Sequence, residues 1–120
     1  MRLLNDMFFV TNETAEQVDI RLNAQHYIYQ AHFPGNPVTP GVCIVQIIVE
    51  LLKKRLGEAL VLTRITNLKF VSVISPIENP EVTVRFLLLQ MDEDECKVKA
   101  QLEANGKIMT KISLVLSIKN

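Results

Sequence analysis

The sequence predicts an α+β domain in which one antiparallel sheet of about six strands wraps around one long central helix. Two short strand-like segments precede a long apolar run, and the chain after that run has strand patterns almost to its end. The apolar run itself carries helix signals at both ends. The 120 residues suffice for one core, so we expect a single domain over residues 1–120.

The first two strands are predicted at residues 7–11 and 17–22, on either side of a polar turn. The second segment alternates apolar with charged residues, which is typical of a half-buried strand. Residues 23–31 are expected to form a loop or a short helical turn. We expect its His26 and Tyr29 to lie in a solvated loop.

The long apolar run at residues 42–56 is predicted to be a helix. Valine and isoleucine dominate its start, which by itself favours a strand, but about fifteen residues exceed the length of a typical buried strand. Thr39 is expected to be the N-cap, with Pro40 at the first helical position. Residues 53–55 are basic and Gly57 follows, as is typical of a helix C-terminus.

Apolar residues cover almost the whole circumference of this helix, so we expect it to be surrounded. The exceptions are Gln46 and Glu50, which lie four residues apart and therefore on one face. A buried helix with one polar stripe is a candidate location for chemistry.

The rest of the chain is predicted to be strand. The segments are residues 60–74, 82–89, 96–103 and 108–118, separated by turns at 76–80, 91–95 and 104–107. The strand at 82–89 is apolar on both faces and is expected to be central. One helix covers only one face of a sheet, so a second copy of the chain is the simplest source of further cover.

Composition excludes several classes of function. Thirteen basic and thirteen acidic residues cancel, which disfavours a nucleic-acid partner. No apolar stretch reaches the roughly 18 residues that cross a bilayer. The start of the chain is a poor signal peptide, and Cys43 and Cys96 are too few for a disulfide framework. We therefore expect a soluble cytoplasmic protein without a metal cluster, in which both cysteines are core residues.

Residues 32–41 carry the most specific motif, and they read His-Phe-Pro-Gly-Asn-Pro-Val-Thr-Pro-Gly. This segment resembles the His-Phe-x-Gly-x-Pro-x-x-Pro-Gly signature of the hot-dog-fold β-hydroxyacyl-ACP dehydratases, and every fixed position is met. The resemblance implies the hot-dog fold and a dimer with two active sites at the subunit interface. It implies no bound cofactor, since the substrate is carried on the phosphopantetheine of acyl carrier protein.

The resemblance also assigns roles to individual residues. His32 occupies the position of the base that removes the C2 proton of a 3-hydroxyacyl thioester. Gly41 occupies the position whose backbone N–H, at the start of the central helix, polarises the thioester carbonyl. Gln46 departs from the family, which has Glu or Asp at this position to help the hydroxyl leave as water. Glu50 lies one helical turn further along and is the nearest carboxylate.

Three explanations of Gln46 remain open at this point. Glu50 or a water chain can substitute for the missing acid, another subunit can supply it, or the protein binds acyl thioesters without dehydrating them. We expect a dehydratase acting on acyl carrier protein or CoA thioesters as a homodimer or dimer of dimers. The alternatives are a non-catalytic acyl-thioester-binding protein and a thioesterase. The basic residues 53–55 either receive an acidic carrier protein or compensate the charge of the helix C-terminus.

Overall fold

The computed structural model describes residues 2–31, 35–57 and 59–119. Within these residues the elements follow in the order β1 (Phe8–Glu13), β2 (Gln17–Leu22), α1 (Tyr27–Ala31), α2 (Gly41–Leu56), β3 (Leu60–Phe70), β4 (Glu81–Met91), β5 (Glu95–Ala104) and β6 (Lys107–Ile118). The six strands form one sheet in the order β1-β2-β4-β5-β6-β3, and all neighbouring pairs are antiparallel.

The core lies between the inner face of this sheet and α2. Alternate residues of the strands point inward, as the period of two requires. In β5 these are Cys96, Val98, Ala100, Leu102 and Ala104, all buried. Helix α2 contributes the buried residues Cys43, Ile44, Ile47, Ile48, Val49, Leu51 and Leu52. The α+β architecture with an antiparallel sheet around one helix is confirmed, and the helix has 16 residues.

The start of α2 differs from the sequence prediction. The helix begins at Gly41, its N-cap is Pro40, and no side chain among the described residues caps its N-terminus. Thr39 is therefore not the cap, and its hydroxyl lies 2.8 Å from that of buried Tyr29. The predicted C-terminus is confirmed, since the helix ends at Leu56 and the N–H of Gly57 donates to the carbonyl of Lys53.

Strand β3 is shorter than predicted and ends at Phe70 rather than near residue 74. The N–H groups of Val71 and Ser72 both donate to the carbonyl of Met109, so the regular pairing with β6 stops there. The chain then passes beside the start of α2, where the N–H of Thr39 donates to the carbonyl of Ile74. This contact fixes the entrance of α2 against the sheet.

The hairpin between β5 and β6 follows the sequence prediction. Asn105 and Gly106 both have positive φ angles, 53° and 75°, as a two-residue hairpin turn requires. Strand β4 lies between β2 and β5, as predicted for a strand with two apolar faces. The prediction that α2 is surrounded is confirmed for its middle, where residues 47–52 are all buried, but not for its first turn, where Val42 is 71% exposed.

Candidate active site

The N-terminus of α2 offers backbone donors that the described residues leave unused. The N–H groups of Cys43 and Ile44 donate to the carbonyl of Pro40, whereas those of Gly41 and Val42 donate to no acceptor within residues 2–31, 35–57 and 59–119. A helix N-terminus also carries a partial positive charge. This end of α2 can therefore stabilise an oxygen atom on which negative charge develops.

Gly41 lies under the ring of Phe70, at the end of β3. A Cβ atom at position 41 would lie 2.7 Å from Cζ and 3.2 Å from Cε2 of that ring. The ring is 51% exposed, so it covers one side of the helix start without burying it. A side chain at position 41 would therefore have to displace the Phe70 ring or the start of the helix.

A buried hydrogen bond closes the loop that precedes α2. The hydroxyls of Tyr29 in α1 and Thr39 lie 2.8 Å apart, and the structure buries both side chains. Burial is the main cause that raises the pKa of Tyr29 to about 12. The bond joins α1 to the residue directly before Pro40. His32, the predicted base, lies outside the described residues, as do residues 33 and 34.

Glu50 is buried and fully engaged by hydrogen bonds. Its carboxylate accepts from the N–H of Leu3, at 2.9 and 2.8 Å to the two oxygens, and from the N–H of Leu4 at 2.7 Å. These contacts anchor the N-terminal segment on α2. Sequence reasoning missed them, because the partners lie 46 and 47 positions away and no local pattern indicates them.

Gln46 and Glu50 are in direct contact, as their spacing on the helix predicts. Nε2 of Gln46 donates to Oε2 of Glu50 at 2.7 Å. Gln46 is half-buried and lies one turn after exposed Val42. The described residues thus bring together the altered acid position and the nearest carboxylate, at a side of α2 that the sheet does not cover completely.

His26 and Tyr29 are buried, which corrects the expectation of a solvated loop. Nδ1 of His26 accepts from the N–H of Ile28, and its Nε2 lies 3.3 Å from Oδ2 of Asp6. His26 thereby orients the start of α1. The adjacency of Ile28 and Tyr29 is the signal that could have indicated burial.

The basic cluster at the end of α2 makes contacts within the chain. Lys54 and Arg55 both pair with Glu13 at 3.0 Å, and Arg55 also donates to the carbonyls of Thr14 and Ala15. The hydrogen bond from Lys54 is the main cause that lowers the pKa of Glu13. Two of the three cations therefore fix the β1–β2 turn and are not available as a free patch.

Comparisons with known proteins agree with this architecture. A thioesterase from Haemophilus influenzae superposes with a TM-score of 0.67 at 15% identity, over 94% of this chain and 78% of that one. The dehydratase heterocomplex ApeI:P from Xenorhabdus doucetiae superposes with a TM-score of 0.59 at 17% identity, over 88% of this chain and 91% of that one. The sheet around a central helix is the hot-dog fold, and that prediction is confirmed.

Sequence comparisons indicate which class of hot-dog protein this chain is similar to. The 3-hydroxyacyl-(acyl-carrier-protein) dehydratase FabZ of Acetivibrio thermocellus is 31% identical in an alignment of length 91 that covers 67% of this chain and 62% of that protein. The FabZ of Lactobacillus helveticus is 29% identical in an alignment of length 98 that covers 75% of this chain and 64% of that protein. The match thus spans less than two thirds of either relative.

A family model described as ApeI-like, ApeI dehydratase, matches residues 10–111. The chain belongs to the ApeI-like dehydratase family. The resemblance carried by residues 32–41 is confirmed at the level of the family, whereas the roles of individual site residues stay predictions.

Proposed function

We propose that the protein removes water from 3-hydroxyacyl thioesters and forms trans-2-enoyl thioesters, with the acyl group carried on acyl carrier protein or CoA. Family membership and the names of the FabZ relatives support this reaction. The observation that carries the proposal is the open N-terminus of α2, where the N–H of Gly41 has no acceptor among the described residues. Such a donor suits the carbonyl oxygen of a thioester.

The proposed step needs one base and one oxyanion donor. His32 takes the C2 proton, and the electron pair moves toward the thioester carbonyl, whose oxygen accepts a hydrogen bond from the N–H of Gly41. The C3–O bond then breaks, and the hydroxyl leaves as water after it receives a proton. Gln46 cannot donate a proton at neutral pH, so we assign that proton to water or to a protonated carboxyl group of a second subunit.

A second subunit is supported by the free edge of the sheet. Strand β3 is an edge strand of 11 residues, and Ile65, Phe70 and Val73 on or just after it are 46%, 51% and 70% exposed. A long apolar edge strand pairs readily with another chain. We propose a homodimer through this edge, in the cytoplasm. None of the helices in residues 2–31, 35–57 and 59–119 is long and apolar enough to cross a bilayer.

One observation favours a second function. With Gln46 at the acid position, the protein can bind an acyl thioester and leave it unchanged. A thioesterase is less well supported, because its candidate carboxylate, Glu50, accepts hydrogen bonds from the backbone of residues 3 and 4.

The test uses the full chain with a 3-hydroxyacyl carrier protein and a 3-hydroxyacyl-CoA. We expect trans-2-enoyl product with the wild type, and a loss of about 100-fold or more with His32→Asn at an unchanged melting temperature. Free thiol in place of enoyl product would identify a thioesterase. Binding without either product would identify the non-catalytic function. Native mass spectrometry reports the oligomer, and turnover that requires a different second subunit would replace the homodimer, as in the Xenorhabdus heterocomplex.

A further inference from the structure

A buried hydroxyl group of β6 has no hydrogen-bond partner among the described residues. Within residues 2–31, 35–57 and 59–119, Oγ1 of Thr110 is the one buried side-chain polar atom that makes no hydrogen bond, and Thr110 is 0% exposed. A buried hydroxyl without a partner lowers stability, so almost all such groups in native proteins are paired. An exception of this kind indicates a partner from outside the chain, either a trapped water molecule or a ligand.

Thr110 lies at the end of the sheet where α2 begins. It pairs with Leu102 of β5 and with Phe70 of β3, and directly opposite residues of antiparallel strands project from the same face. Since Leu102 is buried in the core, Thr110 and Phe70 also project toward α2. The Phe70 ring lies against Gly41, so this side chain extends from the strand position beside Thr110 to the start of the helix.

The Phe70 ring thus occupies the space between two groups that can bind a ligand. At its tip are the N–H groups of Gly41 and Val42, which donate to no acceptor among the described residues, and at its base is the hydroxyl of Thr110. The ring belongs to the last residue of β3 and is 51% exposed in the protomer, so little packing opposes its movement. A ligand segment in place of the ring would face N–H donors on one side and a hydroxyl on the other.

We propose that Thr110 is a ligand-binding residue of the site at the start of α2, and that the Phe70 ring covers its hydroxyl until an acyl thioester displaces the ring. The inference rests on the proposed function in one respect, namely that the ligand is an acyl thioester. The hydroxyl of Thr110 donates to an oxygen atom of the bound thioester, and the N–H groups of the helix start bind from the other side. Thr110 thereby gains the hydrogen bond that it does not make within the chain.

Thr110→Val removes the hydroxyl and keeps the branched shape of the side chain. Because the hydroxyl is unpaired in the free protein, we expect the melting temperature to rise by about 2–6 °C. Binding to the full chain is measured by calorimetry with the hexanoyl amide of aminopantetheine, a probe in which nitrogen replaces the thioester sulfur. The probe has no 3-hydroxyl, so it cannot be dehydrated. Loss of one hydrogen bond should weaken its binding about 3- to 10-fold.

Two variants control for the shape and the place of this substitution. Thr110→Ser retains a hydroxyl and should bind the probe with nearly the wild-type affinity. Thr63→Val makes the same change near the other end of β3, where the hydroxyl of Thr63 donates to the carbonyl of Val115 at 3.0 Å. Thr63→Val should not raise the melting temperature, because it removes a hydrogen bond that is made, and it should leave the probe affinity unchanged.

Thr110→Cys tests whether movement of the Phe70 ring uncovers this position. The native thiols of Cys43 and Cys96 are 2% and 0% exposed and serve as internal references. We expect one thiol per chain to react with methyl methanethiosulfonate faster than these two. The reaction should be faster still when Phe70→Ala is combined with Thr110→Cys, and slower at a saturating concentration of the probe.

The outcomes distinguish this inference from the proposed function. Unchanged probe affinity in Thr110→Val, or a thiol in Thr110→Cys that reacts no faster than the two native thiols, overturns the inference even if enoyl product forms. A lower melting temperature of Thr110→Val also overturns it, because the hydroxyl would then have a partner in the free protein, such as a trapped water molecule. A wild type whose probe binding depends on the Thr110 hydroxyl but which forms no enoyl product supports the inference and refutes the dehydration.

Discussion

The two ends of helix α2 contrast in how their backbone groups are satisfied. At the N-terminal end, Pro40 provides no side-chain cap, and the N–H groups of Gly41 and Val42 have no acceptor among the described residues. At the C-terminal end, the N–H of Gly57 donates to Lys53, and Arg55 pairs with Glu13 on the neighbouring turn.

The difference shows which end of the helix can take part in chemistry. Unused donors at a helix terminus lower stability, but they are available to a ligand that carries developing negative charge. The C-terminal end carries cations that compensate the helix dipole and fix the β1–β2 turn. Substitutions at the N-terminal end should therefore change activity, and those at the C-terminal end should change stability.

Gly41→Ala tests the N-terminal end and should have the largest effect. The new Cβ would lie 2.7 Å from the Phe70 ring, so either the ring or the helix start must move. We expect kcat/KM for the 3-hydroxyacyl thioester to fall about 100-fold, because the donor N–H is displaced from the carbonyl.

Phe70→Ala combined with Gly41→Ala is the control for this steric explanation. If contact with the ring displaces the helix start, the double variant should recover part of the lost activity. Full activity in Gly41→Ala itself would contradict the assignment of this backbone position.

Gly57→Ala is the matched change at the C-terminal end. Gly57 has φ 117° and ψ 156°, a conformation that is essentially limited to glycine, and no atom of the described residues lies within 4 Å of the added Cβ. Backbone strain should reduce the free energy of unfolding by about 1–3 kcal/mol in urea denaturation. The value of kcat/KM should remain that of the wild type. A loss of activity in Gly57→Ala would contradict the assignment of activity to the N-terminal end of α2 and of stability to its C-terminal end.

Local patterns were sufficient to predict most of the fold. The basic last turn and Gly57 placed the end of α2, and Asn105-Gly106 placed the last hairpin, because these signals act between residues close in sequence. The N-cap of α2 was predicted one residue too early, at Thr39 instead of Pro40. A serine- or threonine-type cap is a local signal, but the hydroxyl of Thr39 is used by buried Tyr29, ten residues away.

The candidate site was less predictable than the fold. The signature identified Gly41 as the first turn of a helix, and the spacing of Gln46 and Glu50 predicted their contact. The hydrogen bonds of Glu50 depend on the backbone of Leu3 and Leu4, which lie near the start of the sequence and pack against α2. Contacts of that kind leave no periodicity in the sequence.

Tyr29→Phe should weaken the support of the loop before α2. The change leaves the buried hydroxyl of Thr39 without its partner, so we expect a loss of about 1–2 kcal/mol in the free energy of unfolding. Activity should also fall, by less than in Gly41→Ala, because the residues just before α2 lose their hydrogen bond to α1. Chemical denaturation and steady-state kinetics measure the two effects.

The raised pKa of Tyr29 gives an independent check of the same contact. The chain has two tyrosines, so Tyr29→Phe should abolish the part of the tyrosinate absorbance change that occurs near pH 12. Tyr27→Phe is the control and should retain it. Since the folded pKa exceeds the ordinary value of 10, stability from this group is complete below pH 10 and is lost as the pH rises toward 12.

Glu13→Gln should have the smallest effect, and one confined to stability. Glu13 accepts hydrogen bonds from Lys54 and Arg55, and its pKa lies below the ordinary value of 4.5. Its stabilising contribution is therefore complete above that value and disappears as the pH falls through the lowered folded pKa. We expect the variant to lose at most about 1 kcal/mol at pH 7, because the pair is only partly buried.

The pH dependence of this loss distinguishes a charge effect from a packing effect at the C-terminal end of α2. The difference in unfolding free energy between wild type and Glu13→Gln should shrink toward zero as the pH is lowered well below 4.5, while kcat/KM at pH 7 stays unchanged. Glu81→Gln removes a pair with Arg21 that is about 60% exposed on both sides, and should have a smaller effect at pH 7. If the difference in unfolding free energy persists at low pH, Glu13 contributes through the packing of its side chain and not through its charge. A drop in kcat/KM would show that the two ends of α2 are coupled.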